Sequence, residues 1–131
     1  GYRADYDEFT IVPPHVAHSP NPADGAIHED TWVSLSWVAG STAVSHDVYF
    51  GESYADVQAG TGGTFRGNQV STFFVAGFPG FPYPDGLVPG TTYYWRIDEV
   101  EADGVTIHPG YVWSFTTGDF LLVDALESYT E

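Results

Sequence analysis

Five histidines, eighteen carboxylates and three arginines, with no lysine and no cysteine, are the groups of this 131-residue chain that could do chemistry. Without thiolates, a transition metal has to be held by imidazoles and carboxylates that converge. His15 and His18 stand three apart and need a turn that brings them a third ligand; His28, His46 and His108 are scattered one to a segment, as structural or solvated imidazoles are. The stretches "DYDE" (Asp5, Asp7, Glu8) and "IDEVEAD" (Asp98, Glu99, Glu101, Asp103) offer oxygens of the kind calcium takes. Neither has the EF-hand spacing, and alternation along a strand sends Asp98 to one face and Glu99 to the other. Solvated acidic faces are the expectation, with calcium as the one candidate ion, no cofactor and no residue assigned as a metal ligand. The nucleophile elbow, the phosphate-binding loop, the HExxH helix and the dinucleotide glycine pattern are all missing from the sequence. A pair of carboxylates for glycoside hydrolysis needs a cleft that a small domain rarely offers, so no catalytic residue is assigned.

A second kind of chemistry is recognition by flat rings. "GFPGFPYPDGLVPG", residues 77–90, sets Phe78, Phe81 and Tyr83 in a frame of proline and glycine. Rings on such a frame stack on the apolar face of a sugar or anchor a protein contact, and the prolines lower the entropy lost when the loop is ordered. The local alternative folds Phe78 and Phe81 down over the core and leaves Tyr83 half-exposed.

The elements that position these groups read as strands. No apolar period of 3.6 is sustained anywhere, while short alternating segments recur between glycine and proline breaks, as in an all-β sandwich or barrel. "TWVSLSW" puts Val33, Leu35 and Trp37 on one face; "HDVYFG" does so for Val48 and Phe50; "TTYYWRIDEV" for Tyr93, Trp95 and Ile97; "GYVWSFTT" for Trp113 and Phe115. "VSTFFVAG" is a further strand, and "NPADGA", "AGTGG", "VPGTT" and "EADG" are turns. A content of 43% hydrophobic and 17% aromatic residues is too apolar for a disordered chain, and the length suits one domain. The formal net charge of -15 argues against nucleic acid and anionic membrane surfaces as partners, and no apolar run approaches a membrane span.

With these residues in view, "LVPGTTYYWRI" resembles the turn before strand F of a fibronectin type III domain, and Trp37 matches the core tryptophan of that family's strand B. The resemblance covers about Pro20 to Thr117. It implies an immunoglobulin-like β-sandwich, with Tyr93 as the corner tyrosine whose hydroxyl bonds back to upstream backbone. With Trp37 and Tyr93, alternation places Trp95 and Trp113 in the structural core. The longer string from "NPADGA" to "YVWSFTT" is similar to modules of large secreted bacterial proteins, often beside glycan-active domains, which implies an extracellular or cell-surface place. That fold hosts many functions.

Beyond residues 15–117 the sequence stays strand-like, so additional N- and C-terminal strands are expected. "YDEFTIV" in segment 1–14 places Phe9 and Ile11 on one face and Thr10 and Val12 on the other; segment 118–131 runs Phe120, Leu121, Leu122, Val123 without a break. An apolar strand can be donated to the sheet edge of a neighbour, and head-to-tail donation that does not close builds filaments. The functional expectation is a non-catalytic extracellular structural module that associates with copies of itself or adjacent domains through these strands, as a filament or fibril subunit, with Phe78, Phe81 and Tyr83 adding a contact patch. The alternative is a polysaccharide-binding or spacer module of a secreted glycan-active enzyme. The ending "FLLVDALESY" also resembles the start of a following domain, so a further module is expected there.

Overall fold

Strands form where apolar residues alternate, and two sheets close over the faces they share. The computed structural model describes residues 14–118. One sheet consists of β1 (His18–Asn21), β3 (Val33–Val38) and β6 (Phe73–Ala76), with β3 in the middle. The other contains β2 (Ala26–His28), β4 (Ser45–Gly51), β5 (Phe65–Gln69), β7 (Thr92–Val100) and β9 (Val112–Thr117) in the order β2-β9-β7-β4-β5, and β8 (Ile107–His108) pairs with β7. All pairings are antiparallel except β2 with β9.

The register explains the core. Phe50 lies opposite Trp95 and Val48 opposite Ile97, while Trp95 faces Trp113 and Tyr93 faces Phe115 across the next ladder. These side chains point at Val33, Leu35 and Trp37 of the first sheet, and all ten are buried. Removing each such apolar side chain from water contributes roughly 1.5–3 kcal/mol, which opposes the entropy of ordering the strands. The near-parallel rings of Phe50, Tyr93 and Phe115 cluster in a triangle, with Tyr93 5.6 Å from each of the other two and those two 6.3 Å apart.

The structure departs from the sequence reading in three places. The strand expected over "VSTFFVAG" is confined to Phe73–Ala76, and Phe65–Gln69 is a strand that alternation did not mark, because it is an edge strand with a bulge opposite Val48 and Tyr49. A short helix, α1 (Tyr54–Ala59), precedes it, capped by the Ser53 side chain and by Gly60. It buries only Val57 and so leaves no apolar period to read. The expectation that "IDEVEAD" is a solvated acidic face fails for its first two carboxylates: Asp98 and Glu99 are both buried.

Strand direction sorts the loops into two ends. Thr92 pairs with Thr116 at one end of β7, and Val100 pairs with Ser45 and Ile107 at the other. Residues 29–32, 77–91 and Gly118 gather at the first end; residues 14–16, 39–44 and 101–106 gather at the second. Phe9, Ile11, Val12, Phe120, Leu121, Leu122 and Val123, the residues expected to form assembly strands, lie outside the described residues.

Candidate functional site

At the aromatic end the 77–87 loop is built from tight turns. The amides of Gly77, Phe81 and Gly86 donate to the carbonyls of Pro82, Phe78 and Tyr83, and Leu87 N–H donates to Thr31 O at 2.7 Å. Gly77 is required where it stands: its φ is +101°, and a Cβ there would meet Thr31 O at 2.6 Å and Trp32 Cα at 2.7 Å. That close approach lays the loop along residues 31 and 32.

The three rings then divide. Tyr83 turns inward and packs edge-on against Phe50 and Tyr93, with centroids 5.6 and 5.2 Å away. Burial pushes its phenol above the ordinary value, and the Glu52 charge adds to the shift. Phe78 and Phe81 remain 41% and 48% exposed, the reverse of the arrangement in which those two would fold down and Tyr83 stay out. The displayed patch is therefore Phe78 and Phe81 with Trp32, which is 39% exposed and lies 5.2 Å from Phe78 at an interplanar angle of 31°. His28 Nε2 donates to Trp32 O at 2.7 Å, and the carbonyl of His28 accepts from Gly118 N–H at 2.8 Å. The end of β9 is thus linked directly to the patch.

Trp37, Tyr93, Trp95 and Trp113 are all buried, and the Tyr93 hydroxyl accepts from the upstream Val88 N–H at 2.8 Å. With two sheets, the strand-F tyrosine and this bond, the architecture can be compared with known ones. The chain superimposes on an Fn3-like protein from Clostridium thermocellum with a TM-score of 0.53 at 17% identity, covering 81% of this chain and 95% of that one. It also matches part of an α-L-rhamnosidase from Streptomyces avermitilis, solved with L-rhamnose, with a TM-score of 0.54 at 23% identity over 79% of this chain but only 10% of the enzyme. The fold is fibronectin type III-like. No protein-family model and no curated sequence matches the chain.

The opposite end of this fibronectin type III-like sandwich is organised by carboxylates. His46 continues the inward face of Val48 and Phe50, Glu99 continues that of Tyr93, Trp95 and Ile97, and the register sets the two opposite each other. His46 Nδ1 bonds to Glu99 Oε1, and Glu99 Oε2 accepts from Gly40 N–H at 2.8 Å. Trp37 lies edge-on to the His46 ring. Gly40 in turn lies against the backbone of His15, where a Cβ would come within 2.4 Å of the carbonyl oxygen, and Ser41 N–H donates to Pro14 O at 2.7 Å. A buried carboxylate therefore fixes the loop on which His15 rests.

Asp103 shapes the neighbouring β7–β8 turn. Its carboxylate accepts from the amides of Val105 and Thr106, both at 2.9 Å, and from the Thr106 hydroxyl at 2.7 Å. These donors hold its carboxyl at about 2 instead of 3.8. The turn sets Glu101 Oε2 2.5 Å from His108 Nε2, and the Thr42 hydroxyl donates to the same oxygen at 2.9 Å. Both donors, His108 first, hold the Glu101 carboxyl below its usual value. The His15 ring stacks on that of His108 with centroids 4.8 Å apart.

His15 and His18 do not share a site: His18 Nδ1 bonds to Ser19 Oγ, while His15 joins His108 and Glu101. Sequence reasoning missed that grouping. The turn "EADG" was the available signal, since a hairpin there returns the chain with His108 beside Glu101; nothing local tied either residue to His15.

Proposed function

We propose that the chain is a non-catalytic structural module of a longer secreted protein, and that its aromatic end is the face that meets the sequence following Gly118. One observation carries this reading. β9 ends at Thr117, the amide of the next residue, Gly118, donates to His28 O, the His28 side chain is bonded to Trp32, and Trp32 lies beside the exposed Phe78 ring at that end. Gly118 is tied through His28 to the patch, and aromatic groups beside that position suit a contact between consecutive modules. The absence of catalytic motifs from the sequence fits a non-catalytic role, and the match to a tenth of a much longer enzyme shows the same fold inside a multidomain chain.

The test is a photo-crosslinking phenylalanine analogue at position 78 in the full protein, with products mapped by mass spectrometry. Intrachain crosslinks to sequence beyond Gly118 support the module contact. Crosslinks between copies would move the reading to self-association, and adducts formed only with added polysaccharide would move it to glycan binding.

A further inference from the structure

The histidine end carries a convergence of ligands that the module reading does not use. One nitrogen of His15, one of His108 and a carboxylate oxygen of Glu101 all lie within 4.8 Å of one another, on side chains that are neither buried nor fully exposed. A hydrogen-bonded His108–Glu101 pair accounts for one imidazole; the second ring, stacked 18° from parallel on the first, does not contribute to that pair. Three donors of this chemistry around one point are what a tetrahedral zinc site with one open position uses.

We propose that His15, Glu101 and His108 bind a divalent transition metal, zinc in particular, with the fourth position left to water or to a donor from another molecule. Tetrahedral zinc with bonds near 2.0–2.1 Å sets its ligand atoms about 3.3 Å apart. The 2.5 Å gap between Glu101 Oε2 and His108 Nε2 opens to that value, and separations of up to 4.8 Å close to it, by side-chain rotation at a partly exposed rim.

The surroundings favour this. Each ligand stands on backbone that is already held: His15 by the Pro14–Ser41 bond and the Gly40 contact, Glu101 and His108 by the Asp103 turn and the β7–β8 ladder. Thr42 Oγ1 donates to Glu101 and lies 3.1 Å from His15 Nδ1, so one hydroxyl orients two ligands, as outer-shell groups do at metal sites. A net charge of -15 raises the local concentration of cations. The bound ion links the segment that enters β1 to the β7–β8 hairpin, two parts of the chain far apart in sequence.

The experiment is titration of the metal-free full chain with Zn2+ by calorimetry and thermal melting, repeated with Co2+ in the visible spectrum. One saturable site that raises Tm, with the absorption bands of four-coordinate cobalt, is expected. His15→Ala, Glu101→Gln and His108→Ala each weaken binding at least about tenfold and abolish the cobalt bands, and His18→Ala binds as the parent does. Near-UV circular dichroism in chelator confirms that each variant is folded. Equal binding by the parent and all three variants, or a parent cobalt spectrum of six-coordinate type alone, overturns the site.

Discussion

The two ends of the sandwich are closed over the same strands by different forces. At the histidine end, carboxylates hold the loops: Glu99 reaches Gly40 and His46, Asp103 caps the β7–β8 turn, and Glu101 gathers Thr42 and His108. At the aromatic end the loop is held by ring packing through Tyr83 and by backbone turns. Directional bonds from a few charged groups place loops closely while burying little apolar area, but they depend on every partner being present. Rings hold by area, so the aromatic loop can anchor one ring and leave two free for display.

The largest expected effect breaks the first half of that contrast. Glu99→Ala leaves His46 and Gly40 N–H buried without a partner, and with about 1–3 kcal/mol for each unsatisfied buried group the expected loss is about 2–6 kcal/mol in urea unfolding. A loss below about 1 kcal/mol would mean that packing, and not the carboxylate, holds that end. At the aromatic end, Tyr83→Ala is expected to cost about 2–3 kcal/mol, since a large ring leaves the core edge. Phe78→Ser with Phe81→Ser should stay within about 0.5 kcal/mol in the same urea unfolding, as changes to exposed groups do. Similar losses for the two variants would show that all three rings hold the loop. Tyr93→Phe, which removes the acceptor for Val88 N–H while keeping the ring, should cost about 1–2 kcal/mol.

The smallest effect is a pH dependence on the outer face of β7. Asp98 accepts from Arg96 Nη2 and Gly110 N–H, yet burial outweighs these partners and raises its carboxyl above 3.8. The folded state then keeps the proton to higher pH than the unfolded chain does. The contribution of Asp98 is complete below 3.8 and is lost as pH rises through its folded value. Stability plotted against pH should fall less over that window in Asp98→Asn than in the parent. An NMR titration midpoint for Asp98 at or below 3.8 would reverse the sign.

Much of the fold was legible because alternation is a local property. Val33, Leu35, Trp37, Tyr93, Trp95 and Phe115 face inward as their spacing requires. The buried pair was legible too, had the same alternation been extended by one step to His46 and Glu99, whose polarity made a surface reading attractive. Phe78, Phe81 and Tyr83 were not separable by type or spacing, because turn geometry in a loop has no fixed period. Which ring enters depends on where the gap beside Phe50 and Tyr93 opens.

The sequence by itself determined the strand faces, the aromatic core and the acidic character, since each follows from side-chain type at period two or from composition, and the corner tyrosine through the resemblance that "LVPGTTYYWRI" carries. Tertiary structure alone decided that Asp98 is buried, that Glu99 reaches Gly40, which rings are displayed and which histidines meet. Those outcomes rest on contacts between residues far apart in the chain, and such contacts exist only once two sheets have closed and brought their loops to a common end.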